Sequence, residues 1–309
     1  MRNAFAQELV ECAARDERVI LLAGDIGNRL FDAFQARFPG RFFNCGVAEA
    51  NMMSMAAGLA LGGLRPVVYT IAPFVTYRCY EQIKIDVCYN AAPVVIVGVG
   101  AGLGYAGLGP THHSLEDIAA LRVLPDMSVV CPADAHETRA ALRDALSAPR
   151  PIYLRIGKKG EPLVHATEPP FRIGEALPLR TGVDVALLST GTILPDVLAA
   201  ADQLYKHDVD VGVVHFHTVK PLDAAALRRL ATTCKLLVTV EEHSLIGGFG
   251  SAVAEWMADE GVGRRLVRMG TPDAFFHEAG ETEHARHRLG LSSEAIAARV
   301  LQALAPREA

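Results

Sequence analysis

The sequence predicts an α/β protein with two domains, each a mostly parallel sheet flanked by helices. Short β-branched runs alternate with helical patterns over residues 1–157, as expected for parallel strands joined by crossover helices. The alternation stops over residues 158–183, a stretch rich in Pro and Gly, and it resumes over 184–309. A chain of 309 residues has the length of about two ordinary domains. We therefore expect domains over 1–157 and 184–309, joined by a linker over 158–183.

The first domain is predicted to alternate five strands with five helices. Each strand is a brief apolar run, which is typical of strands that are buried on both faces. The predicted strands are Val19–Ala23, Val67–Thr70, Val94–Val97, Ser128–Val130 and Ile152–Leu154. The predicted helices are Asn3–Ala14, Glu49–Leu61, Tyr77–Cys88, Ser114–Leu121 and Ala135–Leu146.

The second domain repeats the same alternation on a smaller scale. Its predicted strands are Val185–Ser189, Val211–Val214, Leu236–Val240 and Leu266–Met269. Its predicted helices are Pro195–Tyr205, Ala224–Ala231, Ser251–Glu260 and Ser293–Leu304. Pro195 and Asp196 suit a first helical turn, where a missing N–H is tolerated and a carboxylate is favourable.

Composition excludes several classes of protein. A net charge of −5 offers nothing to a nucleic-acid backbone, and no apolar run approaches the ~18 residues that cross a bilayer. The first 24 residues carry scattered charges, unlike a signal peptide. The six cysteines contain no CxxC pair and suit a reducing compartment. We expect a cytoplasmic enzyme with no nucleic-acid or membrane partner and no metal site of its own.

A glycine-rich segment over residues 98–109 contains a formal GxGxxG at 102–107. A dinucleotide fingerprint would lead directly into a helix, whereas this segment leads into Gly109–His113. A loop that lines a ligand is therefore the better interpretation. His112 and His113 follow at an exposed corner, and such a histidine is a candidate for proton transfer, although one of the pair could simply cap or pack.

The segment Phe43–Met52 is the most informative, because Glu49 falls in the first turn of a helix of small and soft side chains. Such a helix can pack closely against another backbone. A carboxylate there could merely complement the helix dipole in solvent. The apolar flanking residues instead favour a dry site, and carboxyl groups at dry sites are typical of acid–base chemistry.

These motifs resemble the transketolase family of thiamine-diphosphate enzymes, beginning with its pyrimidine-binding domain. The resemblance covers nearly the whole chain, and its motifs occur in the family's order. They are Gly46–Met52, Ala57–Ala60, Pro73–Tyr77, Tyr80–Ile83, Gly109–His112, Pro125–Met127, Cys131–Asp134, Tyr153–Arg155, Val240–Ser244 and Gly247–Gly250.

The resemblance implies a role for each matching cofactor residue. Glu49 would contact N1′ of the aminopyrimidine, and Phe74 would stack on that ring. Ile71 and Tyr77 would complete its apolar pocket, whose low dielectric would strengthen the Glu49 contact. His112 would lie near the hydroxyl and carbonyl of the ketose donor.

The resemblance also implies a substrate-binding role for three arginines. Arg2 and Arg155 occupy positions where the family binds a sugar phosphate, an anion that suits a guanidinium fork. Arg29, near a position usually held by serine, is expected to bind substrate as well. Two departures from the family accompany it, since Gly100 replaces a phosphate-binding histidine and Leu108 replaces an aspartate that binds an acceptor hydroxyl. We expect retained ketol-transfer chemistry on a sugar or sugar-phosphate substrate that has drifted.

Family members also need a diphosphate-binding domain with a GDG motif and a downstream Asn. Gly24–Gly27 lacks that context, and the resemblance therefore implies the C-terminal subunit of a split transketolase. An N-terminal subunit would hold the diphosphate through Mg²⁺ or Ca²⁺, in an α₂β₂ heterotetramer. Three alternatives stay open: a β subunit of a 2-oxo acid dehydrogenase, a deoxyxylulose-phosphate-synthase-like acyl transferase, and a non-catalytic paralogue.

Overall fold

The structure is a computed structural model that describes residues 1–27 and 29–305. Within those ranges the strands form two sheets. The first runs in the order β10-β5-β6-β4-β3-β1-β2 and the second in the order β12-β11-β8-β9-β7. The strands are β1 Val19–Ala23, β2 Phe42–Asn44, β3 Arg65–Ile71, β4 Val95–Val99, β5 Ser128–Val130, β6 Ile152–Ile156, β7 Leu177–Arg180, β8 Val185–Thr190, β9 Val211–His215, β10 Thr218–Lys220, β11 Leu236–Ser244 and β12 Arg265–Thr271.

Helices cover both faces of each sheet, as the alternating pattern predicts. They are α1 Arg2–Arg15, α2 Asp32–Arg37, α3 Glu49–Leu61, α4 Ala72–Thr76, α5 Tyr80–Gln82, α6 Asp117–Arg122, α7 Ala135–Ser147, α8 Leu194–Tyr205, α9 Ala224–Thr233, α10 Phe249–Asp259, α11 Thr282–Arg288 and α12 Ser293–Leu304. A π-helical turn, Ile83–Cys88, continues α5. None of the described helices has the length and apolarity needed to cross a membrane.

Both sheets are parallel except at one edge each. β1, β4 and β6 are buried along their whole length, which explains why they consist of nearly uninterrupted apolar residues. One hydrophobic cluster fills the face of the first sheet under α3 and extends without a break into the second sheet, from Met52 to Phe249. The two sheets therefore share a core across the boundary between the halves of the chain.

Four features of the fold differ from the sequence-based prediction. The segment expected to be a linker contains β7, an antiparallel edge strand of the second sheet. β10 crosses over and pairs antiparallel with β5 of the first sheet. The helix predicted over Tyr77–Cys88 begins only at Tyr80 and is π-helical in its second half. The short elements β2 and α2 have no counterpart in the prediction because their few residues carry little periodic signal.

The parallel strands of the first sheet bring separated segments to one edge. β1, β3, β4 and β6 all end there, and they are followed by Gly24, Ala72, Gly100 and Gly157. In open α/β sheets this carboxyl edge is where ligands bind. Every residue that the sequence nominates for a site lies at or beside it, apart from Arg155, which lies within β6.

Candidate functional site

Glu49 is the first residue of α3, and its carboxylate is almost completely buried, with a relative exposure of 5%. Gly24, at the end of β1, lets the backbone approach, since a Cβ there would lie 3.5 Å from Glu49 Cγ and 3.3 Å from Thr70 Oγ1. The Thr70 hydroxyl has no hydrogen-bond partner among the described residues. A buried carboxylate therefore faces a narrow polar space with one unpaired hydroxyl.

Arg78 joins Glu49 to the aromatic part of the site. Its Nη1 atom lies 3.3 Å from Glu49 Oε1 and 3.4 Å from Oε2. The same guanidinium lies over the Phe74 ring, 3.8 Å from its centroid. The Phe74 ring in turn meets the His112 imidazole edge-on, with 5.1 Å between their centroids. The structure thus brings Glu49, Phe74 and His112, which are far apart in the sequence, into one cluster.

Arg78 is a site residue that the sequence analysis does not nominate. It follows Phe74 by four residues, which is one helical turn, so a cation beside the predicted stacking residue was a signal that could have identified it. Its side chain is 47% exposed, so the pair with Glu49 is only partly screened from water.

The two adjacent histidines have different environments. His113 is buried and its Nε2 donates to the carbonyl of Ala106, 3.2 Å away. His112 is partly exposed and its Nδ1 pairs with the Thr111 hydroxyl at 2.9 Å. Burial, and then the positive charge of Arg78, lower the pKa of His112. His112 is therefore the neutral imidazole of the pair that faces the ligand edge.

Ile71 and Tyr77 flank the helix that carries Phe74. Ile71 is the last residue of β3 and is partly buried. The Tyr77 hydroxyl donates to Glu116 Oε2 at 2.9 Å and accepts from the Glu116 N–H at 3.2 Å, which ties it to the start of α6. The Tyr77 ring lines a cavity of about 410 Å³ with Phe275 and Phe276. The contact of Ile71 and Tyr77 with a cofactor stays a prediction.

Arg2 and Arg29 approach the same edge from different sides. Arg2 begins α1, and its Nε is buried without a hydrogen-bond partner among the described residues. Arg29 has a left-handed backbone with φ of 61° and an 86% exposed side chain. It lines a cavity of about 380 Å³ together with Asp25 and Asn44. Both guanidinium groups are available to a ligand.

Arg155 requires a correction, because the structure buries it. Its guanidinium is 2% exposed, and Nε donates to both carboxylate oxygens of Asp117 at 2.9 and 3.1 Å. Nη2 donates to the carbonyls of Ser114 at 2.8 Å and Glu242 at 3.0 Å. Glu242 belongs to β11 of the second sheet, so Arg155 fastens the two sheets together. It is not presented to a substrate, and we do not retain it as a substrate-binding residue.

Gly100 is explained by its neighbour Tyr105. Its φ is +73°, and a Cβ at this position would overlap the Tyr105 ring. That ring lies 5.9 Å from the His112 ring, between centroids, and Lys158 Nζ lies 4.5 Å from its centroid. No sequence pattern predicted this arrangement, because the loop that carries Tyr105 folds back through glycines.

Two family models match the chain and together account for most of it. "Transketolase, pyrimidine binding domain" matches residues 1–161, and "Transketolase, C-terminal domain" matches residues 174–296. The chain belongs to the transketolase family. The predicted fold class is confirmed with it, and family membership implies dependence on thiamine diphosphate.

Relatives of similar length are sections or subunits of transketolases. The chain is 33% identical to "Putative transketolase C-terminal section" of Methanocaldococcus jannaschii, covering 98% of this chain and 95% of the relative. It is also 33% identical to one of the subunits of an apulose-4-phosphate transketolase from Phocaeicola vulgatus, covering 97% of this chain and 96% of the relative. The interpretation as a C-terminal, pyrimidine-domain subunit of a transketolase-like transferase is therefore confirmed.

A solved transketolase structure has the same fold over nearly its full length. It is described as "Split gene transketolase, inactive beta4 tetramer", with a TM-score of 0.89 and 35% identity, covering 98% of this chain and 97% of that one. The chain also matches "1-deoxy-D-xylulose-5-phosphate synthase 2" of Geobacter sulfurreducens at 39% identity, covering 96% of this chain and 48% of that relative.

Proposed function

We propose that this chain, with a separate diphosphate-binding subunit, transfers a two-carbon ketol unit from a ketose to an aldehyde acceptor. The observation that carries the proposal is the cluster of Glu49, Phe74 and His112 at the carboxyl edge of the first sheet. The cluster combines a buried carboxylate, an aromatic face and a neutral imidazole. The substrates would be sugars or sugar phosphates, and the compartment the cytoplasm.

The residues present fit the aminopyrimidine part of thiamine diphosphate. Glu49 offers a buried acceptor, Phe74 an apolar ring, and Thr70 an unpaired buried hydroxyl beside the glycine that opens the space. When bound, this cofactor supplies a carbon nucleophile that attacks the donor ketone. We propose that Glu49, Ile71, Phe74 and Tyr77 hold its pyrimidine end, while the partner subunit holds its diphosphate through Mg²⁺ or Ca²⁺.

The chain's own residues would then act on protons and charge. Glu49 would hold a proton at N1′, and its burial would strengthen that hydrogen bond because water cannot compete for it. His112, whose pKa is lowered, would accept a proton from a substrate hydroxyl near neutral pH. Arg78 contacts both the carboxylate and the aromatic ring, so cofactor binding requires it to share Glu49 or move aside.

We propose an α₂β₂ assembly in which α3 lies at a subunit interface. Its outward face is built of small and apolar side chains, including Ser54, Gly58 and Leu61, and the last of these is 61% exposed. Such a face permits close backbone approach. The similar solved structure, described as an inactive tetramer of β chains, supports a subunit that self-associates and needs a partner for activity.

The test is reconstitution. The chain should bind thiamine diphosphate poorly in calorimetry with Mg²⁺, and it should transfer ketol units only when mixed with a diphosphate-binding partner. Ketose donors and pyruvate should be compared with the same aldehyde acceptors, and Glu49→Gln is the matched inactive control. Tight cofactor binding by the chain alone would contradict the split site.

A second candidate is acyl transfer from pyruvate, favoured by the 39% identity to a deoxyxylulose-phosphate synthase. The same assay separates the two functions, because pyruvate would yield carbon dioxide and a 1-deoxyketose, whereas a ketose donor would yield a shorter aldose. Turnover of pyruvate but of no ketose would replace the ketol-transfer proposal.

A further inference from the structure

We propose that Tyr105 and Lys158, together with Arg2, form the site that recognises the anionic end of the substrate, such as a terminal phosphate or sulfonate. The proposal rests on the ketol-transfer function above and names its substrate class. It assigns roles to two residues that carry no family motif, and it is argued from unpaired polar groups at one place in the fold.

Aromatic rings lead from the cofactor cluster to a cation. Phe74 meets His112 at 5.1 Å, His112 meets Tyr105 at 5.9 Å, and Lys158 Nζ lies 4.5 Å from the Tyr105 ring. Lys158 follows β6 directly and His112 follows β4, so both lie at the carboxyl edge. A substrate whose carbonyl lies near His112 could reach Lys158 with a short sugar chain.

The positive charge at this place is not neutralised by the protein. Within residues 1–27 and 29–305, neither Lys158 nor Arg2 forms an ion pair or donates a side-chain hydrogen bond. Glu161, in the same segment as Lys158, pairs instead with the ammonium group of Met1 at 3.0 Å. Two cations therefore face this region, and an incoming anion would meet no competing carboxylate from Glu161.

Buried polar groups beside Arg2 also lack partners. The Arg2 Nε and the hydroxyl of the fully buried Tyr69 have none among the described residues. Burial raises the pKa of Tyr69 and of Tyr105, while the nearby charge of Arg2 acts in the opposite direction. Both phenols are thus protonated donors at neutral pH, and unmet donors at buried positions are costly unless a ligand or water accepts from them.

Tyr105 gives this site its shape. Its ring lies against Gly100, where any side chain would collide with it, so position 100 must remain glycine while the ring is there. The ring separates His112 from Lys158 and would form one wall of the passage between them. It would thereby limit the length of substrate that can place its anion on Lys158.

The first test compares phosphorylated and unphosphorylated acceptors in the reconstituted enzyme. With hydroxypyruvate as donor, the ratio of kcat/KM for D-erythrose 4-phosphate to that for D-erythrose should fall about tenfold or more in Lys158→Gln, the size expected for a charged hydrogen bond. Lys159→Gln makes the same charge change one residue away at an exposed position and should leave the ratio unchanged. Equal ratios in both variants would overturn the proposal.

The second test does not depend on turnover. Binding of inorganic phosphate and of methanesulfonate to the full chain, followed by NMR titration, should weaken about tenfold in Lys158→Gln and not in Lys159→Gln. If wild-type enzyme transfers no ketol unit yet this difference is found, the proposed function fails while the anion site stands. If neither variant changes anion binding, the site is wrong whatever the activity.

Discussion

Replacing Arg155 with methionine should destabilise the protein strongly, and it should not act as the loss of a substrate contact. The guanidinium donates to Asp117 and to two carbonyls, and only 2% of it is exposed. Methionine fills a similar volume but offers no donor. Asp117 would keep the Tyr153 hydroxyl, which donates to it at 2.6 Å, and would lose its only guanidinium.

The magnitude follows from the burial of Asp117, which is fully inaccessible to water. Removing one partner of a buried ion pair typically costs about 3–5 kcal/mol, because the remaining charge is left uncompensated. Burial alone would raise the pKa of Asp117, but Arg155 holds it below its ordinary value of 3.8. Without Arg155 that carboxyl favours its protonated form, so the cost should be larger at pH 7 than at pH 4.

Urea denaturation of the purified chain at both pH values provides the measurement. Arg150→Met, at an exposed position, is the matched control and should change the free energy of unfolding by less than about 0.5 kcal/mol. A double variant, Asp117→Asn with Arg155→Met, should recover part of the loss because no buried charge remains. If Arg155→Met unfolds like wild type but raises KM, our account of Arg155 is refuted and the resemblance-based role returns.

Three further predictions concern the site and the boundary between the sheets. Glu49→Gln should reduce kcat of the reconstituted enzyme about 10²–10⁴-fold, because it removes an acid–base proton; equal C2-proton exchange of bound thiamine diphosphate in both proteins would leave Glu49 as a helix-dipole carboxylate. Arg78→Met should raise the pKa of His112, now lowered by burial and by Arg78, in an NMR titration of the chain alone; an unchanged value would show that Arg78 does not face His112. A hydrogen bond to Glu137 raises the pKa of His165 above 6.5, so its stabilisation is complete below that pH and is lost as pH rises through the raised value; urea denaturation of His165→Gln should show a smaller loss from pH 6 to 8.5 than wild type, and parallel losses would contradict this.

Local patterns in the sequence were enough to predict most of the fold. The buried strands are recognisable as short apolar runs, and α3 is observed over the predicted Glu49–Leu61. These elements depend on burial and periodicity within a few neighbouring residues. The crossing of β10 into the first sheet has no such local signal, because Thr218–Lys220 gains its pairing from β5, a strand far earlier in the chain.

The sequence by itself determined the fold class, the family and the residue types that a transketolase site needs. Only the tertiary structure decided how those residues are used. Arg155 carries a family motif, yet it pairs with Asp117, 38 residues away, and with the Glu242 carbonyl, 87 residues away. Arg78 and Tyr105 reach the cluster through a helical turn and a folded-back glycine loop. Side chains acquire partners through packing between distant segments, and a linear pattern reports local preference without reporting that packing.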